Sequence, residues 1–159
     1  MLSIRTLVII TVAFALVLLS NVCVQSDSKN LVVTMEPAGF DKLMKTEDSR
    51  YIVVVMAAWC GPCRKELPAL VRLNNKYKSQ GLKMVGMGLD LEGPSVLQPV
   101  IDRLDVNFPV YWLGEKAIEK YKIYKMPALF FFRNGVIIET IIGVQSEKFL
   151  DKKIRDFLK

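Results

Sequence analysis

The segment Trp59-Cys60-Gly61-Pro62-Cys63 constrains this chain more than any other feature of the sequence. It follows an apolar run from 51 to 57, typical of a buried strand, and precedes a run from 64 to 77 with apolar residues at helical spacing. Cys60 is therefore expected at a helix start, where unpaired N–H groups and the helix dipole stabilise a thiolate. Pro62 is tolerated in that first turn. Cys63, one helical turn further on, is placed to attack a mixed disulfide formed at Cys60.

Two other uses of the cysteine pair have to be weighed. A structural zinc site needs four ligands, but the sequence has no histidine and 3 cysteines, the third being Cys23 in the apolar N-terminal segment. A purely structural disulfide across so short a loop would remove little chain entropy. A Cys-x-x-Cys beside a strand-to-helix pattern therefore indicates redox chemistry, without a metal.

The N-terminal residues have the pattern of an export segment. Arg5 precedes an apolar run from Leu7 to Leu19, as in the charged and apolar regions of a secretory signal. If residues 20–24 also lie in lipid, the segment approaches the ~18–20 residues that span a bilayer. We predict that residues 1–26 are a signal peptide or a membrane anchor and that residues 27–159 form one extracytoplasmic domain. Cys23 is either a lipid-attachment site or an ordinary small apolar residue.

The rest of the chain alternates between strand and helix patterns. An Asn134-Gly135 pair between apolar runs predicts a β-hairpin, and Ser146 is placed to cap a final helix. Gly81 is a plausible helix stop, and Pro68 is expected to kink the helix that contains it. The further strands are expected at 31–35, 82–89 and 108–113, and the further helices at 39–45, from 94 onward and around 117–121. This order predicts an α/β fold, a βαβ half followed by a ββα half, with a mixed sheet covered by helices on both faces.

Charge gives little indication of a partner. The 22 Lys and Arg residues exceed the 16 Asp and Glu residues, a net charge of +6. The lysines are scattered and do not form a tract with interleaved aromatic residues, so we interpret them as solvated and expect no nucleic-acid binding.

With these features the chain resembles the thioredoxin superfamily and, within it, the TlpA-like (ResA-like) extracytoplasmic branch. The resemblance covers roughly residues 31–159. The Trp-Cys-Gly-Pro-Cys segment is similar to the family's active-site motif, and two further stretches match. One is the tail formed by Met126-Pro127-Ala128, Leu129 to Phe132, Asn134-Gly135 and Gly143. The other runs from Gly88-Leu89-Asp90 through Phe108-Pro109-Val110 to Ala117 and Tyr121, and is similar to the insertion of TlpA-like proteins.

The resemblance implies a thioredoxin fold with this insertion before a cis-proline, Pro127. Met126 and Pro127 would then form a ledge that binds an extended substrate segment, beside Trp59, Gly61 and Pro62 of the motif. A cis bond is far less costly before proline than before other residues. Even so, a cis proline is rare and usually serves a specific structural role at its place in the fold. The alternative for Pro127 is an ordinary turn proline.

Glu66 is the candidate general base. Cytosolic thioredoxins have a buried aspartate six residues before the first motif cysteine, where this chain has Val54. Glu66 lies one helical turn beyond Cys63, and TlpA-like proteins commonly have Glu at this position. A partly desolvated carboxylate there would have a raised pKa and could take the Cys63 proton. The alternative is a solvated glutamate favoured by the helix dipole.

The resulting hypothesis is an exported or tethered monomer that reduces disulfides of protein substrates, including the haem-site cysteines of apocytochrome c. Cys60 attacks, Cys63 resolves, no organic cofactor or metal takes part, and a membrane thiol protein supplies electrons. Two alternatives remain open. One is a non-catalytic module that binds peptides on the Met126–Pro127 ledge. The other is a peroxiredoxin-type peroxidase, although Ala57-Ala58-Trp59 stands where that class has Thr in its Pro-x-x-x-Thr-x-x-Cys motif.

Overall fold

A computed structural model describes residues 30–46 and 50–159 of the chain. In chain order the elements are β1 (Val32–Thr34), α1 (Pro37–Met44), β2 (Arg50–Met56), α2 (Gly61–Tyr77), β3 (Lys83–Gly88), α3 (Pro94–Arg103), β4 (Val110–Trp112), α4 (Glu115–Lys120), β5 (Ala128–Arg133), β6 (Val136–Ile142) and α5 (Glu147–Leu158). A 3₁₀ turn, Lys78–Gln80, follows α2.

The strands form one 6-stranded sheet in the order β1-β4-β3-β2-β5-β6. The pairs β1–β4, β4–β3 and β3–β2 are parallel, whereas β5 is antiparallel to β2 and β6 is antiparallel to β5. β2 is thus a central strand, and all its residues except Arg50 are buried. Burial on both faces explains why its sequence is continuously apolar. The predicted mixed sheet is confirmed.

Helices cover both faces of this sheet. Alternate residues of β2 point to opposite sides. Ile52, Val54 and Met56 join one apolar cluster, which includes residues of α2, α3 and α5. Tyr51, Val53 and Val55 join a second cluster, which includes residues of α1 and α4. The active-site motif therefore leaves the end of a strand that is fixed from two sides.

Several local signals are confirmed. Asn134 and Gly135 have φ of 51° and 79°, as a tight hairpin turn requires, and Gly81, at φ 90°, follows the 3₁₀ turn. Ser146 Oγ accepts a hydrogen bond from the Phe149 N–H at 3.3 Å and caps α5. α2 continues through Pro68, and the kink expected there stays a prediction.

The element bounds differ from those predicted at several ends. α1 begins two residues before the predicted Gly39, at Pro37, because proline is favoured in the first helical turn. β1 and β4 are shorter than predicted, since pairing is limited to the three residues that each presents to the other. The predicted signal or anchor at 1–26 and the question of Cys23 lie outside the described residues. Within residues 30–46 and 50–159, no helix combines the length and apolarity that a membrane span needs.

Phe40 offers a test of the second apolar cluster. Its side chain is 0% exposed and makes edge contacts with the rings of Tyr111 and Tyr121. Phe40→Ala is expected to lower the free energy of unfolding by about 3–5 kcal/mol, because it removes buried surface and leaves a cavity. Urea unfolding measures this loss. Tyr124→Ala, at a residue that is 83% exposed, is the control and should change it by less than about 0.5 kcal/mol. Equal effects of the two substitutions would contradict this packing.

Candidate active site

Cys60 and Cys63 form a disulfide at the N-terminus of α2, with their Cα atoms 5.3 Å apart. Cys60 is the N-cap residue, with extended backbone, and its Sγ accepts a hydrogen bond from the Cys63 N–H at 3.2 Å. One of the unpaired donors of the helix start is thus directed at the Cys60 sulfur. In the reduced protein the same donor and the helix dipole would stabilise a thiolate on Cys60.

Exposure does not distinguish the two cysteine residues in this disulfide form. Cys60 is 4% exposed and Cys63 is 3% exposed, and greater accessibility of Cys60 in the reduced protein stays a prediction. Both cysteines are covered because the S–S bond holds their side chains in one apolar cluster. Trp59 is 62% exposed, and Pro62 is exposed as well. The motif therefore presents a surface of Trp59 and Pro62 around a covered disulfide.

The Met126–Pro127 peptide bond is cis, as the resemblance implies. Pro127 is buried, and its carbonyl accepts a hydrogen bond from the Gly143 N–H at 2.8 Å. Ala128, the next residue, pairs with Val55 of β2. The ledge is thus anchored to the strand that leads into the cysteine motif. Its use in binding substrate stays a prediction.

Glu66 is buried. Its side chain is 3% exposed, and Oε1 accepts a hydrogen bond from the Gln145 N–H at 2.8 Å. Burial raises the pKa of the Glu66 carboxyl above its usual range, while the Gln145 bond opposes that shift. Val54, where cytosolic thioredoxins have an aspartate, is buried in the same cluster as Cys63. The alternative of a solvated glutamate is therefore wrong.

The loop between β6 and α5 joins the ledge to this acid. The Gly143 N–H binds Pro127, and two residues later the Gln145 N–H binds Glu66. The Gln145 side chain in turn donates to the Gly143 carbonyl at 3.2 Å. Sequence reasoning missed Gln145 because its contribution is a main-chain N–H, which every residue except proline has.

Asp90 is a second residue that the sequence analysis did not single out for chemistry. It follows β3, is 0% exposed, and accepts a hydrogen bond at Oδ1 from the Ala58 N–H at 2.7 Å. Its carbonyl accepts one from Trp112 Nε1, also at 2.7 Å. Burial raises the pKa of the Asp90 carboxyl, and the Ala58 bond opposes this. The sequence signal that could have identified Asp90 is an acidic residue at the carboxyl end of an apolar parallel strand, where functional groups are often found.

Comparison with known proteins agrees with this geometry. Residues 39–141, more than half of the chain, match the AhpC/TSA family. The chain belongs to the AhpC/TSA family. Among related proteins, the thiol-disulfide oxidoreductase ResA of Bacillus cereus is 28% identical over 127 residues, which are 79% of this chain and 73% of that protein. ResA of Oceanobacillus iheyensis is 33% identical over 102 residues, 63% of this chain and 53% of that protein.

Solved structures show the same fold. StoA from Bacillus subtilis has a TM-score of 0.59 and 25% identity, over 67% of this chain and 83% of that one. A thiol:disulfide interchange protein of the thioredoxin family from Chlorobium tepidum TLS has a TM-score of 0.64 and 24% identity, over 75% of this chain and 85% of that one. The predicted thioredoxin fold, the resemblance to ResA-like proteins and the enzyme class, a thiol–disulfide oxidoreductase, are confirmed.

Proposed function

We propose that this member of the AhpC/TSA family reduces disulfide bonds of protein substrates outside the cytoplasm. The observation that carries the proposal is the Cys60–Cys63 disulfide at the start of α2, with the Cys63 N–H on the Cys60 sulfur. This arrangement supplies a nucleophile and a resolving thiol one helical turn apart. The name shared by the ResA relatives supports thiol–disulfide exchange as the general reaction.

In the first step the Cys60 thiolate attacks one sulfur of the substrate disulfide. A bond forms between Cys60 Sγ and that sulfur, the substrate S–S bond breaks, and the departing substrate thiolate takes a proton. The N-cap position favours Cys60 for this attack, because the helix start stabilises its negative charge.

In the second step Cys63 attacks Cys60 Sγ. The Cys60–Cys63 bond forms and the mixed disulfide breaks, which releases the second substrate thiol. The Cys63 thiol must lose its proton for this attack. Glu66 lies three residues further along α2 and is buried in the same region, so we assign the proton to its carboxylate.

The surface for the substrate is the ledge of Met126 and Pro127 together with exposed Trp59 and the Gly61-Pro62 turn. Met126 is half-buried and packs against both apolar clusters, so its main chain is held firmly. A ledge of this kind suits an extended substrate segment, which can bond to the Met126 main chain.

The proposal also covers the direction of the redox reaction, the electron donor and the location of the protein. The Gly-Pro pair between the cysteines resembles reducing thioredoxins, so we propose reduction, with apocytochrome c haem-site cysteines as one substrate class. A membrane thiol protein would return electrons to the disulfide, and the enzyme would act as a monomer without organic cofactor or metal. Residues 1–26 would direct the domain out of the cytoplasm, as a signal peptide or as an anchor.

Insulin reduction in the presence of dithiothreitol tests the proposed reaction. The protein should accelerate precipitation of the reduced insulin chains in proportion to its concentration, since each turnover consumes one Cys60–Cys63 cycle. Retained peptide binding without turnover would instead indicate a binding module. Peroxide consumption without insulin reduction would indicate a peroxidase.

A further inference from the structure

Asp90 is a buried carboxyl group that the proposed reaction does not use. One oxygen, Oδ1, binds the N–H of Ala58, which precedes Trp59 and Cys60. The other oxygen, Oδ2, is buried and finds no hydrogen-bond donor within residues 30–46 and 50–159. When Asp90 is ionised, the hydrogen bond from Ala58 offsets only part of its negative charge. The electric field of that charge therefore extends into the surrounding protein.

The hydrogen bond places this carboxyl close to the active site. Successive Cα atoms are about 3.8 Å apart, so the Cα of Cys60 lies within about 8 Å of the Cα of Ala58. The turn is tightened further because the Cys60 N–H donates to the Ala57 carbonyl at 3.1 Å. Asp90 thus binds the backbone that enters α2, two residues before Cys60, whose sulfur changes charge in the reaction.

We propose that Asp90 is a positioning residue with a second, electrostatic role: it fixes the backbone entering the cysteine motif, and its buried negative charge disfavours the Cys60 thiolate. Reduction of the disulfide creates that thiolate, whereas the disulfide form carries no charge. The carboxylate therefore shifts the equilibrium toward the disulfide and makes the dithiol a stronger reductant. The inference rests on the proposed function only in its biological purpose, a stronger reductant. The shift of the disulfide–dithiol equilibrium itself can be measured on the protein without substrate.

The size of the effect follows from Coulomb's law. Two like charges about 10 Å apart at an effective dielectric constant of about 20 repel enough to change an equilibrium about tenfold. Glu92, exposed in the same loop, adds to the negative potential at Asp90. Solvent screens that exposed charge, so its own effect on Cys60 should be small.

The test compares Asp90→Asn with the wild-type full chain in glutathione buffers. Two glutathione thiols convert the disulfide to a Cys60 thiolate and a Cys63 thiol, with one glutathione disulfide formed and one proton released. Asp90→Asn keeps an oxygen for the Ala58 N–H but removes the charge. We expect the equilibrium constant to move about tenfold toward the reduced form, which is about 30 mV for two electrons. The Cys60 pKa, followed by thiolate absorbance, should fall by about one unit.

Two further variants separate charge from hydrogen bonding. Glu92→Gln, the matched exposed control, should change the equilibrium less than about twofold. Asp90→Ala removes both the charge and the hydrogen bond, and should add a lower melting temperature to the same redox shift. The electrostatic role is overturned if Asp90→Asn matches the wild type, or if only Asp90→Ala differs from it.

A measurement on the wild type covers the case in which the variants do not fold. The carboxyl carbon signal of Asp90 in the NMR spectrum of the disulfide form should be that of an ionised carboxylate at about pH 7. A protonated carboxyl at that pH overturns the proposal. Neither experiment needs substrate turnover, so a failure of the proposed reductase function would show separately, in the insulin assay.

Discussion

Cys60→Ser is expected to lower insulin reduction by about 1,000-fold or more, because it removes the nucleophile on which both chemical steps depend. Cys63→Ser should also lose turnover, but for a different reason. In this variant the Cys60 thiolate still attacks the substrate disulfide. Because no Cys63 thiol is present to break the resulting mixed disulfide, this species should accumulate. Non-reducing gels and mass spectrometry of the two variants measure this difference.

Cys23→Ser is the control for these two substitutions. It removes the third cysteine of the chain, which lies outside the motif. Turnover of the purified full-length protein should stay at the wild-type level. Mixed disulfides that accumulate on Cys60→Ser, and not on Cys63→Ser, would reverse the assigned roles.

Glu66→Gln is expected to slow resolution of the mixed disulfide by about 10–100-fold near neutral pH. The substitution keeps the size of the side chain and an oxygen for the Gln145 N–H, but removes the group that accepts the Cys63 proton. The first attack by Cys60 should change little. Single-turnover kinetics with a fluorescent disulfide peptide separate the two steps.

The pH dependence of this effect follows from the raised pKa of Glu66. Above that pKa the wild-type carboxylate can accept a proton, and below it the group is already protonated. The advantage of the wild type over Glu66→Gln should therefore shrink as the pH falls through the raised pKa. Glu119→Gln, at an exposed helical glutamate, is the control. Resolution by Glu66→Gln at the wild-type rate from about pH 5 to about pH 9 would mean that water takes the proton.

Local signals account for what the sequence predicted. The apolar run of β2, the Asn134-Gly135 turn, the Ser146 cap and the cysteine motif each act within a few residues, so each is readable from the chain alone. The cis bond before Pro127 and the insertion after β3 were predicted differently, from resemblance to a family. Periodicity alone indicated the strand and helices of the insertion, but it could not have shown the cis bond or that the segment is an insertion.

Contacts between distant residues account for what the sequence did not predict. The Ala58 N–H donates a hydrogen bond to Asp90, 32 residues away in sequence, and the Gln145 N–H donates one to Glu66, 79 residues away in sequence. Main-chain donors have no residue type by which to recognise them. Whether Glu66 is buried depends on how the β6–α5 loop closes over α2, and that closure belongs to the tertiary fold.

The central claim is that Cys60 is the attacking thiol and Cys63 the resolving one. Alkylation of the reduced wild-type protein with iodoacetamide, with the modified cysteine identified by mass spectrometry across a pH series, tests it most directly. We expect Cys60 to react first, with an apparent pKa below the free-cysteine value of about 8.5, because the Cys63 N–H and the start of α2 stabilise its thiolate. Faster modification of Cys63, or a Cys60 pKa at or above that value, would contradict it.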